Sequence, residues 1–564
     1  MNEEVQKRID SWLLGDYDEK TKAEIRRLMR EDPKELENAF FKELSFGTGG
    51  MREIMGVGSH RMNIYTIRTA TQGLANYLKK QSTPEQALKV FIGYDVREHS
   101  REFAEEAACV LAGNGLIVLL SKDICPTPLV SFACRYFHGS AAIVITASHN
   151  PPQYNGYKVY WNDGGQIVPP HDIGIIKEVQ NCKKISRAPF SSPFIQEVGS
   201  ELDAAYLKEL SKLQLSPKTP KSLKIVYSNL HGTGIRLVPQ GLAAWGFYTV
   251  SLVALQTPPD GTFPYAPKPN PEEEKTLKLG SDQLIATEAD LFLATDPDAD
   301  RMGAVTRHRG AAVRLSGNQI ACLCLHHIGE SLRREGKCPK NAGIVKSIVT
   351  TELLRKIALS FGAICLDVLT GFKYIAETIR DWETKPGSPQ FLFGAEESYG
   401  YLFGTFVRDK DAISACCLLA DTANRAKLQG KTLIDQLYLL YEQHGVYREA
   451  QKSLTFSDTP EGLSQVKTLM SHLRAHPPSH IGTILVKTKT DYADGSTGLP
   501  KSDVLQFDLV DGSKLIVRPS GTEPKVKIYA ESCAPVEDSV EKTIFRCDEK
   551  LLSFTKESFW DISP

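Results

Sequence analysis

Three times along this chain a short apolar, β-branched run gives way to a helical stretch and then to another such run. No other feature constrains the fold as much. The first block reads KVFIGYD from about residue 88, then SREFAEEAACVLAGNG, LIVLLS and, after a further helix, AAIVIT. The second starts near 222 with LKIVYSN and continues through YTVSLVAL to ADLFLAT at 289–295. The third opens near 317 with NQIACLCLHHIGESL and contains AGIVKSIV, AICLDVL and QFLFGAEES. Strands without polar alternation are buried on both faces, which calls for helices on either side of parallel βαβ sheets. The C-terminal stretch differs. QFDLVDGSKLIVRPSGTEPKVKIYAES reads as strand, Asp-Gly turn and strand, with a helix from about 536, and predicts a smaller α+β domain. Near the N-terminus, Ile9, Trp12 and Leu13 fall at helical spacing and predict a helical extension.

These patterns predict a helical segment at 1–40, α/β domains at 41–212, 213–316 and 317–450, and an α+β domain at 451–564. Joints are expected at LQLSPKTPKS (213–222), at HRGAAVRLSG (308–317) and around 450–460. A chain of 564 residues accommodates three or four domains at roughly 150 residues each. Composition excludes several classes. No segment reaches the roughly 18 uninterrupted apolar residues of a membrane span, and MNEEVQKRIDSWLL lacks a signal peptide's apolar core. With 67 basic against 68 acidic residues there is no global field for nucleic acid. The 12 cysteines form no CxxC pairs and read as reduced and buried. A cytoplasmic, soluble, multidomain protein is expected.

Function should lie in the polar loops that end the apolar strands, where open α/β sheets bind ligands. In TDPDADR (295–301), residues two apart in an extended loop would converge Asp296, Asp298 and Asp300 on one point. Three crowded carboxylates require a cation, and oxygen-only ligation favours Mg²⁺ or Ca²⁺. An EF-hand is excluded, because Arg301 and Arg307 stand where it needs Gly and Glu. ITASHNPP (145–152) stops a buried strand at Ser148. It is not a GxSxG elbow, and taken alone Ser148 suits a turn better than a nucleophile. In extended backbone His149 would point away from Ser148, so it is expected to orient the loop rather than act as its base. QYNGYKVY reads as a turn at Asn155 and Gly156 followed by a cation, Lys158, fit for charge pairing or proton transfer. RPSGTEPK (518–525) combines the Arg518 fork with Ser520, Gly521 and Thr522 in a phosphate cradle. In GAEES (394–398), Glu396 and Ser398 would face one ligand and suit sugar hydroxyls. FGTGGMRE (46–53) fits neither a dinucleotide fingerprint nor a P-loop, and presents Arg52 from a glycine turn.

Taken in order, TASHNPP, DPDADR, GAEES and RPSGTEPK resemble the α-D-phosphohexomutases, the phosphoglucomutase and phosphomannomutase group, over roughly residues 41–545. FGTGGMR, YNGYKVYWNDGGQ and EESYGY look most like its phosphoglucomutase/phosphopentomutase branch. The resemblance implies three related α/β domains with mixed sheets and a C-terminal α+β domain around a central active-site cleft. It implies that Ser148 is a phosphoserine sharing one Mg²⁺ per chain with Asp296, Asp298 and Asp300, and that Arg52 and Lys158 lie near the transferring phosphoryl group. Arg301, Thr370, Gly371, Lys373, Glu396, Ser398 and Lys410 would contact the sugar phosphate, while Arg518, Ser520, Gly521 and Thr522 would hold the non-reacting phosphate. Some members carry a histidine two positions after the sugar-loop serine. Gly400 stands there in this chain, which moves the expected proton-transfer role to Lys158. The implied reaction interconverts glucose 1-phosphate and glucose 6-phosphate, with glucose 1,6-bisphosphate as intermediate and activator. Mannose and ribose phosphates, a sugar-bisphosphate synthase and a non-enzymatic sugar-phosphate regulator are the alternatives. A monomer or homodimer is expected, acting on small sugar phosphates with no nucleic-acid or membrane partner.

Overall fold

The apolar runs of the first block become strands that are buried along nearly their whole length, Ala141–Ile145 at every residue. In the computed structural model, which describes residues 3–44, 46, 50–83, 86–457, 460–520 and 524–555, they form a six-stranded mixed sheet. Its order is Gly50–Ile54, Tyr154–Trp161, Ala141–Ile145, Lys89–Tyr94, Ile117–Ser121, Ile195–Val198. The first two pairings are antiparallel and the rest parallel. Helices Ile64–Gln81 and Ser100–Gly113 bury Leu74, Leu78, Phe103 and Leu111 in the same core as Val90, Ile92 and Ile143. Asn63 begins the first of these helices with a reciprocal capping box that satisfies its leading N–H groups.

Ahead of this sheet, helices Glu3–Leu14, Glu19–Glu31 and Pro33–Phe40 pack Val5, Ile9, Trp12, Ile25, Leu28, Leu36 and Phe40 into one cluster, with Val57 and Tyr65 against it. The second block forms a five-stranded mixed sheet, ordered Ala311–Leu315, Met302–His308, Leu291–Thr295, Ile225–Ser228, Val250–Leu252. Within the stretch 308–317, expected as a joint, a tight turn at Gly310 with φ 80° leads into the outer strand of this sheet, after which the compact unit breaks between Ser316 and Gly317. These elements belong to one compact unit, made of Met1–Ser316, Ala376–Phe393 and Ser398–Asn424.

A second unit comprises Gly317–Ile375, Gly394–Glu397 and Arg425–Pro564. Strands Ala342–Ser347 and Ile364–Val368 pair in parallel, with helices Gly317–Arg334 and Glu352–Ser360 beside them. The C-terminal sheet has six antiparallel strands in the order Val446–Thr455, Lys525–Ala534, Lys514–Pro519, Leu505–Leu509, Ile484–Asp491, His480–Ile481. Its first strand runs through 450, so an expected boundary at 450/451 falls inside a ladder. The Asp511-Gly512 turn joins two antiparallel strands, with Gly512 at φ 88°. Helices Pro460–Ala475 and Val540–Phe554 cover this sheet through Leu469, Met470, Leu473, Leu551 and Phe554. A separate apolar cluster joins Ile348, Val349 and Leu369 to Ile516 and Tyr529, packing the third block's loops on the C-terminal sheet. The expected class therefore holds: α/β blocks with mixed sheets, followed by an α+β domain. All twelve cysteines are unpaired thiols.

Candidate active site

In the first unit, the strand Ala141–Ile145 delivers the serine loop and the strand Leu291–Thr295 delivers the acidic loop. Ser148 adopts φ 54°, in the left-handed region that non-glycine residues rarely occupy. Its Oγ donates to Asp296 Oδ2 at 3.0 Å. Because the backbone is not extended there, the alternation that would send His149 away fails, and His149 Nδ1 lies 3.2 Å from Ser148 Oγ. Burial, reinforced by the positive charges of Arg301 and Arg52, holds that imidazole well below its ordinary pKa, so it is neutral.

The acidic loop is a turn, with Ala299 at φ 53°, rather than an extended segment. Its carboxylates nonetheless converge: oxygens of Asp296, Asp298 and Asp300 lie within 4.8 Å of one another. All three residues are buried. Asp296 Oδ1 is occupied by the N–H groups of Asp300 and Arg301, whereas Asp298 Oδ1 and Asp300 Oδ1 are buried without any hydrogen-bond partner. Lys158 Nζ lies 2.8 Å from Asp298 and 3.4 Å from Asp300, and Lys410 Nζ is 3.1 Å from Asp300. Burial raises the Asp300 carboxyl, but Lys410, Lys158 and Arg301 outweigh it and hold the group well below the usual carboxylate range. Asp296 has no such lysine; burial, then the charges of Asp298 and Asp300, push it far up. Two orphaned oxygens beside a carboxylate that cannot ionise comfortably are what a divalent cation would relieve. The donor set fits a hard metal ion.

Lys158 sits on the strand Tyr154–Trp161, so the expected turn at Asn155 and Gly156 is ladder instead. Gly156 is required by a close approach: a Cβ there would lie 2.5 Å from Thr146 O and 2.8 Å from Met51 O. Burial disfavours the Lys158 ammonium, yet Asp298 and Asp300 outweigh it and raise its pKa. Arg52 also lies on a strand, opposite Gly156, and donates to Asn150 Oδ1 at 2.9 Å. Residues 47–49 of that segment lie outside the described residues. Arg301 is half-buried and 3.3 Å from Glu272. Lys410 is braced by Asp409 at 3.0 Å, which accepts from the Tyr160 hydroxyl at 2.7 Å. Ser398 falls in a turn after Glu396, with Tyr399 at φ 65°, so the two-residue alternation expected for GAEES does not apply.

The second unit gathers a different set. Arg518, at the end of strand Lys514–Pro519, donates to Thr370 Oγ1 and lies 3.4 Å from the Tyr529 hydroxyl. The Gly371 N–H donates to Glu396 Oε1 at 2.7 Å, and Lys373 sits over the Tyr374 ring at 5.1 Å. Thr370, Gly371, Lys373, Arg518 and Ser520 are all half-buried. Gly521 and Thr522 lie outside the described residues.

Sequence reasoning missed the supports. Thr127 donates to Asp298 Oδ2 at 2.8 Å, and the Thr233 N–H to Pro297 O at 2.7 Å. A Cβ on Gly232 would meet Pro297 Cα at 2.3 Å, so the turn HGTG presses directly on the acidic loop. The signal available was a glycine turn at the end of the apolar strand IVYS. Arg97, five residues past the middle of a buried strand, was a second omission.

The fold and this site define an α/β enzyme that places a serine hydroxyl against a metal-binding carboxylate cluster. Models of the Phosphoglucomutase/phosphomannomutase family match successive segments: alpha/beta/alpha domain I at 43–186, domain II at 204–310, domain III at 316–441 and the C-terminal domain at 478–540. A phosphoglucomutase of Staphylococcus haemolyticus (strain JCSC1435) is 36% identical over 512 residues, covering 87% of this chain and 91% of that protein. One from Staphylococcus aureus (strain MRSA252) is 35% identical over 532 residues, covering 90% and 93%. The chain belongs to the phosphoglucomutase/phosphomannomutase family, whose members are isomerases that move a phosphoryl group. Among solved structures it resembles parafusin from Paramecium, at TM-score 0.70 and 17% identity over 92% of this chain and 95% of that one. A family protein from Burkholderia thailandensis superposes at TM-score 0.67 and 20% identity, over 93% and 98%. These two likenesses concern the fold. No helix among the described residues is long and apolar enough to cross a membrane.

Proposed function

We propose that this enzyme interconverts glucose 1-phosphate and glucose 6-phosphate through a phosphorylated Ser148 and a glucose 1,6-bisphosphate intermediate. The observation that carries this reading is Ser148 Oγ at 3.0 Å from Asp296, inside a carboxylate triad with two orphaned oxygens. A Mg²⁺ held by Ser148, Asp296, Asp298 and Asp300 would neutralise charge on the transferring phosphoryl oxygens. The substrate's free hydroxyl bonds to phosphorus as the Ser148 O–P bond breaks. His149, beside Ser148 Oγ at 3.2 Å, orients the serine loop. Lys158 Nζ, beside Asp298 and Asp300, relays the hydroxyl proton to the departing Ser148 oxygen, while Arg52, Arg301 and Lys410 stabilise the transferring charge. In the second unit, Thr370, Gly371, Lys373, Glu396, Arg518 and Ser520 bind the sugar and its non-reacting phosphate, with Gly521 and Thr522 completing the cradle. Ser398, in the first unit, adds a sugar contact. The bisphosphate then turns over and returns its other phosphate to Ser148. Catalytic traces of glucose 1,6-bisphosphate activate the enzyme, which works in the cytoplasm.

The test is a coupled assay with Mg²⁺ and trace glucose 1,6-bisphosphate, comparing glucose 1-phosphate, mannose 1-phosphate and ribose 1-phosphate. Fastest turnover is expected on glucose 1-phosphate, with none in Ser148→Ala. Preference for another sugar would move the substrate assignment. Wild-type turnover that survives Ser148→Ala would sink the phosphoserine route.

A further inference from the structure

One fully buried arginine side chain makes three hydrogen bonds to the backbone of the serine loop, and it contacts none of the three clustered carboxylates. Arg97 follows the strand Lys89–Tyr94 and has no exposed side-chain surface. A guanidinium offers five N–H donors in a rigid fork, and here each has its own acceptor. Nε donates to Asp95 Oδ2 at 3.2 Å. One terminal nitrogen donates to the carbonyls of Pro151 at 2.7 Å and Tyr154 at 3.0 Å. The other donates to the carbonyls of Ser148 and Asn150, both at 2.6 Å. Three of the five bonds therefore end on the loop that displays Ser148, one of them on the peptide of Ser148 itself, and a fourth on Tyr154, where the following strand begins.

The fork is fixed in turn. Asp95 accepts from the Arg97 N–H at 2.9 Å, from Ser100 Oγ at 2.7 Å and from Thr146 Oγ1 at 2.6 Å. Thr146 Oγ1 accepts from the Ser148 N–H at 2.9 Å, so the same network grips Ser148 on both sides of its Cα. Across the guanidinium face lies the Phe263 ring at 5.0 Å, from the second sheet's domain. Ser148 needs this grip because its left-handed φ of 54° is an unfavourable state that surroundings must enforce. With its carbonyl pulled onto Arg97, its Oγ is turned toward Asp296.

We propose that Arg97 is a positioning residue for the reaction: it clamps three loop carbonyls and the first carbonyl of the next strand, and holds Ser148 in the strained conformation that aims Oγ at the acidic cluster. This rests on Ser148 being the group that carries the phosphoryl. Lysine keeps the charge but offers a point ammonium with three donors, which cannot span four carbonyls and a carboxylate.

The experiment uses the full-length chain with Mg²⁺ and compares wild type with Arg97→Lys and Arg97→Met. It reads kcat and KM for glucose 1-phosphate, labelling of Ser148 from glucose 1,6-bisphosphate, thermal midpoint, and hydrogen exchange of a peptide spanning 146–156. In Arg97→Lys, kcat and the rate of Ser148 labelling are expected to fall about 100-fold, the scale of a displaced reacting atom. KM is expected to stay within about threefold, because no substrate contact is lost. Exchange should accelerate in 146–156 and not in 291–295. Arg97→Met should do the same more severely and with a lower thermal midpoint. A lysine variant with wild-type kcat and unchanged loop exchange overturns the proposal, as does a loss spread evenly over both peptides. If wild type itself takes no phosphoryl group from the bisphosphate, the proposed function fails, and the exchange measurement still decides whether Arg97 holds the loop.

Discussion

The two units arrange buried charge differently, converging carboxylates in the first and cations alternating with carboxylates in the second. In the first, Asp296, Asp298 and Asp300 crowd together with two lysines nearby, and oxygens of Asp298 and Asp300 are left without hydrogen-bond partners. In the second, Lys346 and Lys514 share Glu352, each at 2.9 Å, and Lys346 also reaches Asp367 at 2.9 Å. Glu531 accepts the Glu352 N–H at 2.8 Å at the start of helix Glu352–Ser360. Arg355 also pairs with Glu352 and Asp367, so three cations alternate with three carboxylates, although Asp367 Oδ1 and Glu531 Oε1 lack hydrogen bonds; the network fastens the third block to the C-terminal sheet, while Thr370, Lys373 and Arg518 remain half-buried. Three carboxylates converging within 4.8 Å can hold a metal ion. Compensated buried charge marks a support, whose removal should cost stability before it costs chemistry.

Asp298→Asn should have the largest effect. It removes a charge that the cation and Lys158 both use, and kcat should drop on the order of 10³-fold, as for loss of a preorganised electrostatic partner. Steady-state assays across a Mg²⁺ titration check this, and a variant that keeps wild-type kcat would break the contrast. Arg518→Met comes next. The loss of charge-assisted bonds worth about 1.5–3 kcal/mol should raise KM roughly 10- to 100-fold while kcat changes less. A kcat loss with constant KM would place Arg518 with the reacting groups instead.

Lys514→Met should act on stability. Breaking one partner out of a buried ion cluster costs about 3–5 kcal/mol, and hydrogen exchange should quicken in strands Lys514–Pro519 and Ala342–Ser347 before the first unit responds. The smallest effect concerns Glu449, which faces Glu531 directly across the ladder. Burial, then the charge of Glu531, raises its carboxyl from 4.5 to about 7. The native state thus keeps a proton that the unfolded chain releases, so stability falls as pH rises from 4.5 through 7 and levels off above it. Glu449→Gln should flatten that slope in melting temperatures taken between those values; an unchanged slope would assign it to other groups.

Much of the site was readable because its residues come in short runs. TDPDADR carries three carboxylates within five positions, and no backbone path through so short a loop separates them far. The structure takes a turn rather than an extended path, yet the oxygens still meet. Side-chain direction was less legible. His149 was expected to point away from Ser148, and the left-handed φ of Ser148 brings it to 3.2 Å. Asn155 and Gly156 were expected in a turn and are on paired strands, because a glycine in a ladder where backbones nearly touch looks, in sequence, like a glycine in a turn.

By itself the sequence determined the fold class and the chemical inventory. Apolar runs too uniform for a one-sided sheet demand helices on both faces, and four polar motifs follow in order along the chain. Only the tertiary structure decided which charges are compensated, since that depends on residues far apart in the chain. Lys410 reaches Asp300 across 110 positions, and Thr127 reaches Asp298 across 171. Arg97 finds its acceptors in a loop about fifty residues away. A pattern of neighbours can show that a carboxylate or an arginine is present, but its partner, and therefore its protonation and its role, is settled by packing.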